Sequence, residues 1–140
     1  MKNLIIIPIA FLMTLLTSAQ DTSKGVDITV EINNITNNDG KVILALHTAE
    51  TFMKGPGVQN LSATIKDGKI KAVFTNVAEG EYAVLALHDA NDNNRMDFEP
   101  NGMPMESYGV SNNDMSFGPP QFSSAKFEVK KEALNFNIRF

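Results

Sequence analysis

From Val26 onward the chain alternates. Val26, Ile28, Val30 and Ile32 are apolar, and Asp27, Thr29, Glu31 and Asn33 between them are polar. Period-two alternation puts successive side chains on opposite faces of a strand, one toward a core and one toward water. Asn37-Asn38-Asp39-Gly40 follows, with residues that tolerate the positive φ of a tight turn. The first strand and the next, Lys41 to His47, are therefore expected to form a hairpin. Lys41–His47 is more continuously apolar, as is Tyr82–Asp89, which is expected to lie centrally in a sheet. Thr48 to Lys54 breaks the pattern and reads as one helical turn, with Thr48 as N-cap and Phe52 and Met53 over the edge of the core. Gly55-Pro56-Gly57 ends it. Leu61–Lys66 and Lys69–Phe74 flank Asp67-Gly68, a strong hairpin signal, and Gly80 turns the chain into Tyr82.

Asn91 to Ser123 has no strand or helix period and holds Pro100, Pro104, Pro119 and Pro120. Alternation returns at Ala125, Phe127 and Val129, and again at Leu134, Phe136, Ile138 and Phe140. The tally is about seven short strands separated by turns, which predicts an all-β fold, a single antiparallel β-sandwich. A long ordered loop precedes the last two strands, and no linker suggests a second domain.

The start of the chain sets the expected compartment. Lys2 is followed by an apolar run, Leu4 to Leu16, broken only by Pro8 and Thr14, and then by Thr17-Ser18-Ala19. This is the layout of a signal peptide over residues 1–19, leaving 20–140 as one domain. The run is shorter than the ~20 residues a membrane span needs, so no membrane insertion is expected after its removal. A periplasmic or secreted protein of bacterial origin follows. There is no cysteine, hence no disulfide, thiol ligand or cysteine-linked lipid. The net charge is −4 and grows by one negative unit when Lys2 leaves, which gives little reason to bind nucleic acid.

The segment rich in candidate chemistry runs from His88 to Glu99. Asp89, Asn91, Asn93 and Asp97 match positions 1, 3, 5 and 9 of an EF-hand-type calcium loop. Asn94 stands where such a loop needs a sharp turn, and Arg95 would offer its backbone carbonyl. The twelfth position is Pro100, and Glu99 comes one place early. Asp89, Asn91, Asn93, Arg95, Asp97 and Glu99 are thus the candidate ligands for calcium, in a loop grafted onto a strand end. Three carboxylates point to weak binding, on the order of 10⁻⁴ to 10⁻³ M. The same residues also suit a solvated turn whose side chains bond their own backbone. His47 and His88 end apolar strands and read first as strand-end residues, though neutral imidazoles also suit zinc or copper. No nucleophile motif appears. Met96, Met103, Met105 and Met115 are scattered through the long loop, where thioether binding of copper is the remote alternative.

Several of these residues fall into a larger pattern: His88, Asp89, Asn91, Asn93 and Asp97; then Gly102, Pro104, Glu106, Tyr108, Gly109, Ser111, Asn112 and Asn113; then Gly118, Pro119, Pro120 and Phe122. With Gly80 and Tyr82 entering the central strand, the chain resembles the bacterial family called domain of unknown function 2141. It also resembles the wider group of transthyretin-like, immunoglobulin-like and carboxypeptidase-regulatory-like sandwiches. The resemblance implies an exported β-sandwich and no particular activity. Asn91 to Phe122 is then expected to be an ordered Ω-like cap over the sheet end, pinned by the metal loop. The expected function is a non-catalytic binding or structural module of the cell envelope, with a protein, peptide or glycan as partner. The alternative is a metal-dependent enzyme using His88, Asp89 and Glu106.

Overall fold

The alternating strand β1 (Val26–Ile32) sits at the centre of a three-stranded sheet. It pairs antiparallel with β4 (Ile70–Val77) and parallel with β8 (Leu134–Ile138), in the order β4-β1-β8. Ile28, Val30 and Ile32 have no solvent exposure and pair directly with Phe74, Ala72 and Ile70 on one side and Leu134, Phe136 and Ile138 on the other. Directly paired residues share a face, so one side of this sheet is wholly apolar. Thr29, Glu31, Lys71, Asn135 and Asn137 take the other side. The computed structural model describes residues 24–140, and the expected signal peptide, with its cleavage site, lies outside the described residues. Among the described residues no helix is long and apolar enough to cross a membrane.

The second sheet runs β3 (Gln59–Thr64), β2 (Lys41–His47), β5 (Gly80–Asp89), β6 (Tyr108–Val110), with β7 (Phe127–Val129) pairing the start of β5. Val42, Leu44 and Leu46 of β2 and Val84 and Ala86 of β5 join β1's apolar face in one core. The fold is thus an all-β sandwich of two sheets, as expected, though the β1–β8 pair is parallel.

Both expected hairpins differ. β1 and β2 lie in different sheets. Their connection is not a simple turn, because Ile35 within it plunges into the core at 6% exposure and its amide donates to the Gly68 carbonyl at 3.0 Å. Burying that side chain carries the chain across from one sheet to the other. At Asp67-Gly68 both residues adopt positive φ (53° and 69°), and a single bridge, Lys66 to Lys69, spans the turn. Beyond it β3 joins β2 and β4 joins β1, so the turn links the two layers.

The stretch expected to lack secondary structure holds β6, a 3-10 turn at Ser111–Asn113 and the start of a short helix, α1 (Phe122–Ala125). Three residues are too few to display a period. Gly109 is the key to β6, since a Cβ there would collide with the Arg139 carbonyl and the Ile138 side chain.

Alternation also explains the continuously apolar strands. Ile43 and Ala45 of β2 pair with Leu87 and Leu85 of β5 on the face turned away from the main core. On this face Phe52, Ala83, Val110 and Ala125 form a second apolar cluster, with Leu85 and Phe122 packed against it. Phe52 arrives on the Thr48 helical turn, closed by a Phe52 amide to Thr48 carbonyl bond of 3.0 Å. Met53, expected to cover the core beside Phe52, is instead 54% exposed. The segment 91–122 lies over this outer face and is not confined to the end of the sheet.

Candidate functional site

β5 ends at Asp89, whose carboxylate is completely buried. Its Oδ1 accepts the Asn93 amide at 3.0 Å and its Oδ2 accepts the Asn94 amide at 2.9 Å. The chain therefore wraps back over the strand end in a tight loop. Asn91 Oδ1 accepts the Asn93 amide (3.2 Å), and Asn93 Oδ1 accepts the Arg95 amide (3.0 Å). Asn94 is in the left-handed region at φ 65°, where Asn is the best side chain after glycine. Asp92 shares that conformation, at φ 63°.

The side chains of Asn91 and Asn93 both reach Asp97, donating to its Oδ2 at 2.6 and 2.7 Å. The Asn91 hydrogen bond, helped by those of Asn93 and by the Arg95 guanidinium, holds the Asp97 carboxyl below its usual range. Asp89, Asn91, Asn93, Arg95 and Asp97 are thus brought together. Glu99 is not: its backbone belongs to a separate tight turn with Gly102 and Met103, and its side chain enters no hydrogen bond of the loop. Lys41 adds a positive charge, 2.6 Å from Asp92 and 3.9 Å from Asp89. Among the described residues no group of three or more His, Cys, Asp or Glu is placed to hold a metal ion. Any cation here would rely on two carboxylates, neutral amides and a backbone carbonyl.

Glu106 braces the loop from outside. Its two carboxylate oxygens accept the Ala90 amide (3.0 Å) and the Asp97 amide (3.2 Å), tying both ends together. The residues of the enzyme alternative serve separate ends. His88 and Asp89 are successive strand residues and face opposite sides of the sheet. His88 points into the sandwich, where Nε2 meets the Asp39 carbonyl at 2.9 Å and the ring stacks on Phe140. His47 is on the outer face at the other end of β2, bonded to Thr51 and edge-on to Phe52, and burial lowers its pKa. The two imidazoles cannot share a metal ion.

The Ser-Asn-Asn run acts as a clasp. The buried Ser111 hydroxyl accepts the Val84 amide (3.0 Å) and donates to the Ala125 carbonyl (2.5 Å). Asn112, at φ 68°, donates to the carbonyls of Ser124 and Lys126. Asn113 donates to the Asn137 carbonyl and accepts the Arg139 amide, both at 2.8 Å. These bonds fix the long segment to α1 and to the end of β8. Between that segment and β5 lies an apolar cleft floored by Leu85 and Leu87. Sequence reasoning missed it, although the two-sided apolar strands pointed to it.

A family model described as "Uncharacterized protein conserved in bacteria (DUF2141)" matches residues 30–137, which takes in the loop, the brace and the clasp. No curated protein and no solved structure matches the chain.

Proposed function

The chain belongs to this bacterial family, and on that premise we propose that it is an exported, non-catalytic binding module of the cell envelope whose Asp89–Asp97 loop takes a calcium ion. The observation supporting the reading is that one tight loop gathers Asp89, Asn91, Asn93 and Asp97, with Asn94 in the left-handed conformation a calcium loop requires; without an ion the Asn91 and Asn93 amide nitrogens bond Asp97, and their oxygens would turn to the cation. Carboxylate and amide oxygens suit a hard cation. Asp89, Asn91, Asn93 and Asp97 would hold it through side chains and Arg95 through its carbonyl. The ion would supply positive charge where two carboxylates meet, and Lys41 already offsets part of that charge. Weak binding follows, on the order of 10⁻⁴ to 10⁻³ M, within reach of extracytoplasmic calcium.

Titration calorimetry tests the loop. Saturable heat at millimolar calcium, abolished by Asp97→Ala, is expected. The absence of heat at 10 mM, about ten times the weakest expected constant, removes calcium from the proposal. Export is tested separately, by fractionating cells that produce the full chain and sequencing the N-terminus of the product. A start at Gln20 outside the cytoplasm is expected, and an uncleaved cytoplasmic chain refutes it.

A further inference from the structure

The segment from Met96 to Pro120 does not lie flat on the second sheet. It leaves a cavity of about 540 Å³, inside the ~300–1,000 Å³ typical of small-molecule sites. Leu85 and Leu87 form its floor, and Phe98, Met103, Pro104 and Phe117 are among the residues around it. No lining residue is charged, and its one polar side-chain group is the Tyr108 hydroxyl. Tyr108, Gly118 and Pro120 also wall a second cavity of about 260 Å³, whose lining includes Asn113, Asp114, Ser116 and Arg139. The two spaces are therefore neighbours, with these three residues between them.

The chemistry of each part restricts the occupant. A peptide in the apolar part would bring backbone N–H and C=O groups that one hydroxyl cannot satisfy. A hydrocarbon chain brings none. Methionine side chains adapt to a flexible guest better than to a rigid one, and Met53, Met96 and Met103 all line the space. In the second cavity Arg139 is the single cationic side chain, and it enters none of the salt bridges among the described residues. The acid there, Asp114, accepts the Ser116 amide (3.1 Å) and hydroxyl (2.9 Å) and keeps its negative charge, so an anionic head must lie on the Arg139 side and away from Asp114.

We propose that the apolar cavity binds a single-chain amphiphile, with its hydrocarbon tail on Leu85 and Leu87 and its anionic head reaching past Tyr108 to Arg139. The proposal rests on the reading of the chain as a binding module and not on calcium. Carboxylate and phosphate heads share the required chemistry, because both accept the guanidinium fork.

Calorimetry of the exported chain in chelator, with laurate below its micelle concentration, tests the proposal. One-to-one saturable binding is expected. Arg139→Gln should weaken laurate about tenfold, the loss of a charge-assisted contact, and leave dodecanol unchanged. Both this side chain and Met103 are exposed, so neither substitution threatens the fold, and Met103→Glu should weaken laurate and dodecanol alike. Lauroyl lysophosphatidate in place of laurate identifies the preferred head. Lack of saturation by any of these probes overturns the proposal. So does equal binding of laurate and dodecanol to both the parent and Arg139→Gln. Sedimentation showing a dimer that blocks the probes makes a second copy the occupant and also refutes it. A calcium titration of the same protein reads the loop independently, so either idea can fail alone.

Discussion

Replacing Asp89 by Ala separates what the loop needs to fold from what it needs to bind a cation. The buried carboxylate accepts two backbone amides, from Asn93 and Asn94, at 3.0 and 2.9 Å. Hydrogen bonds to a charged group contribute roughly 1.5–3 kcal/mol each, and the amides left behind are only part-buried, so water recovers some of the loss. The expected cost is about 3–5 kcal/mol, also the range for removing one partner of a buried charge pair, here with Lys41 nearby. With ~3–5 °C of Tm per kcal/mol for a domain of this size, melting should fall by about 10–20 °C. Urea and thermal melts followed by circular dichroism in chelator measure this without metal. If Asp89→Ala is too unstable to purify, Asp89→Asn keeps one acceptor and should fall between it and the parent. Asp97→Ala should cost little stability in chelator and remove any calcium-dependent rise in Tm. A loss below ~1 kcal/mol for Asp89→Ala in chelator would refute the claim that this carboxylate builds the loop.

Ser111→Ala should destabilise by about 2–4 kcal/mol in urea melts, because it orphans the buried Val84 amide and Ala125 carbonyl together. A change under ~0.5 kcal/mol would mean that the clasp does not hold the segment. Gly40→Ala should cost more than an ordinary surface change, since Gly40 is at φ 63° and a Cβ would overlap the Asp89 carbonyl; thermal melts comparing it with Gly55→Ala, where no atom is near, check this. Burial lowers the pKa of His47 below its ordinary 6.5, so the unfolded chain takes up this proton first as pH falls. Stability should therefore decline on acidification through pH 6.5 toward the lower folded value, and His47→Gln should flatten the slope between pH 7 and 5 in denaturant titrations.

The first sheet was legible because its outer face meets water: Thr29, Glu31, Asn135 and Asn137 mark every second place, and the alternation names the core residues directly. Strand partners were harder to read. Turn chemistry at Asp67-Gly68 and Asn37 to Gly40 correctly marks reversals, since Asp67, Gly68 and Gly40 all adopt positive φ. A local turn does not decide which sheet the next strand enters. That depends on distant burial, above all of Ile35, a single apolar residue in a polar connection. β6 escaped notice because its three residues are specified by Gly109 lying under Arg139. The loop was readable as a tight turn, because the side-chain oxygens of Asp89, Asn91 and Asn93 accept its backbone amides. Asp89, Asn91, Asn93 and Asp97 all take part in the loop's hydrogen bonds, but Glu99 does not, and Glu106 takes a bracing role that only the folded segment reveals.

The apolar excess on the second sheet carries the functional argument furthest. A sandwich needs one apolar face per sheet, yet β2 and β5 are apolar on both. Where stability alone is served, the surplus should be covered, as Phe52, Val110 and Ala125 are. Around Leu87 it is not: Phe98 and Met103 are 58% and 61% exposed, and Phe117 is fully exposed. Exposed side chains this large gain nothing from burial in the isolated chain and carry an aggregation risk, which makes a contiguous group of them a mark of binding. The clasp formed by Ser111, Asn112 and Asn113 sharpens the point. Those bonds hold the segment against α1 and β8 while leaving its apolar side chains standing over an open floor. A segment tethered by its polar residues, with its apolar ones held apart, is built to receive a guest between them.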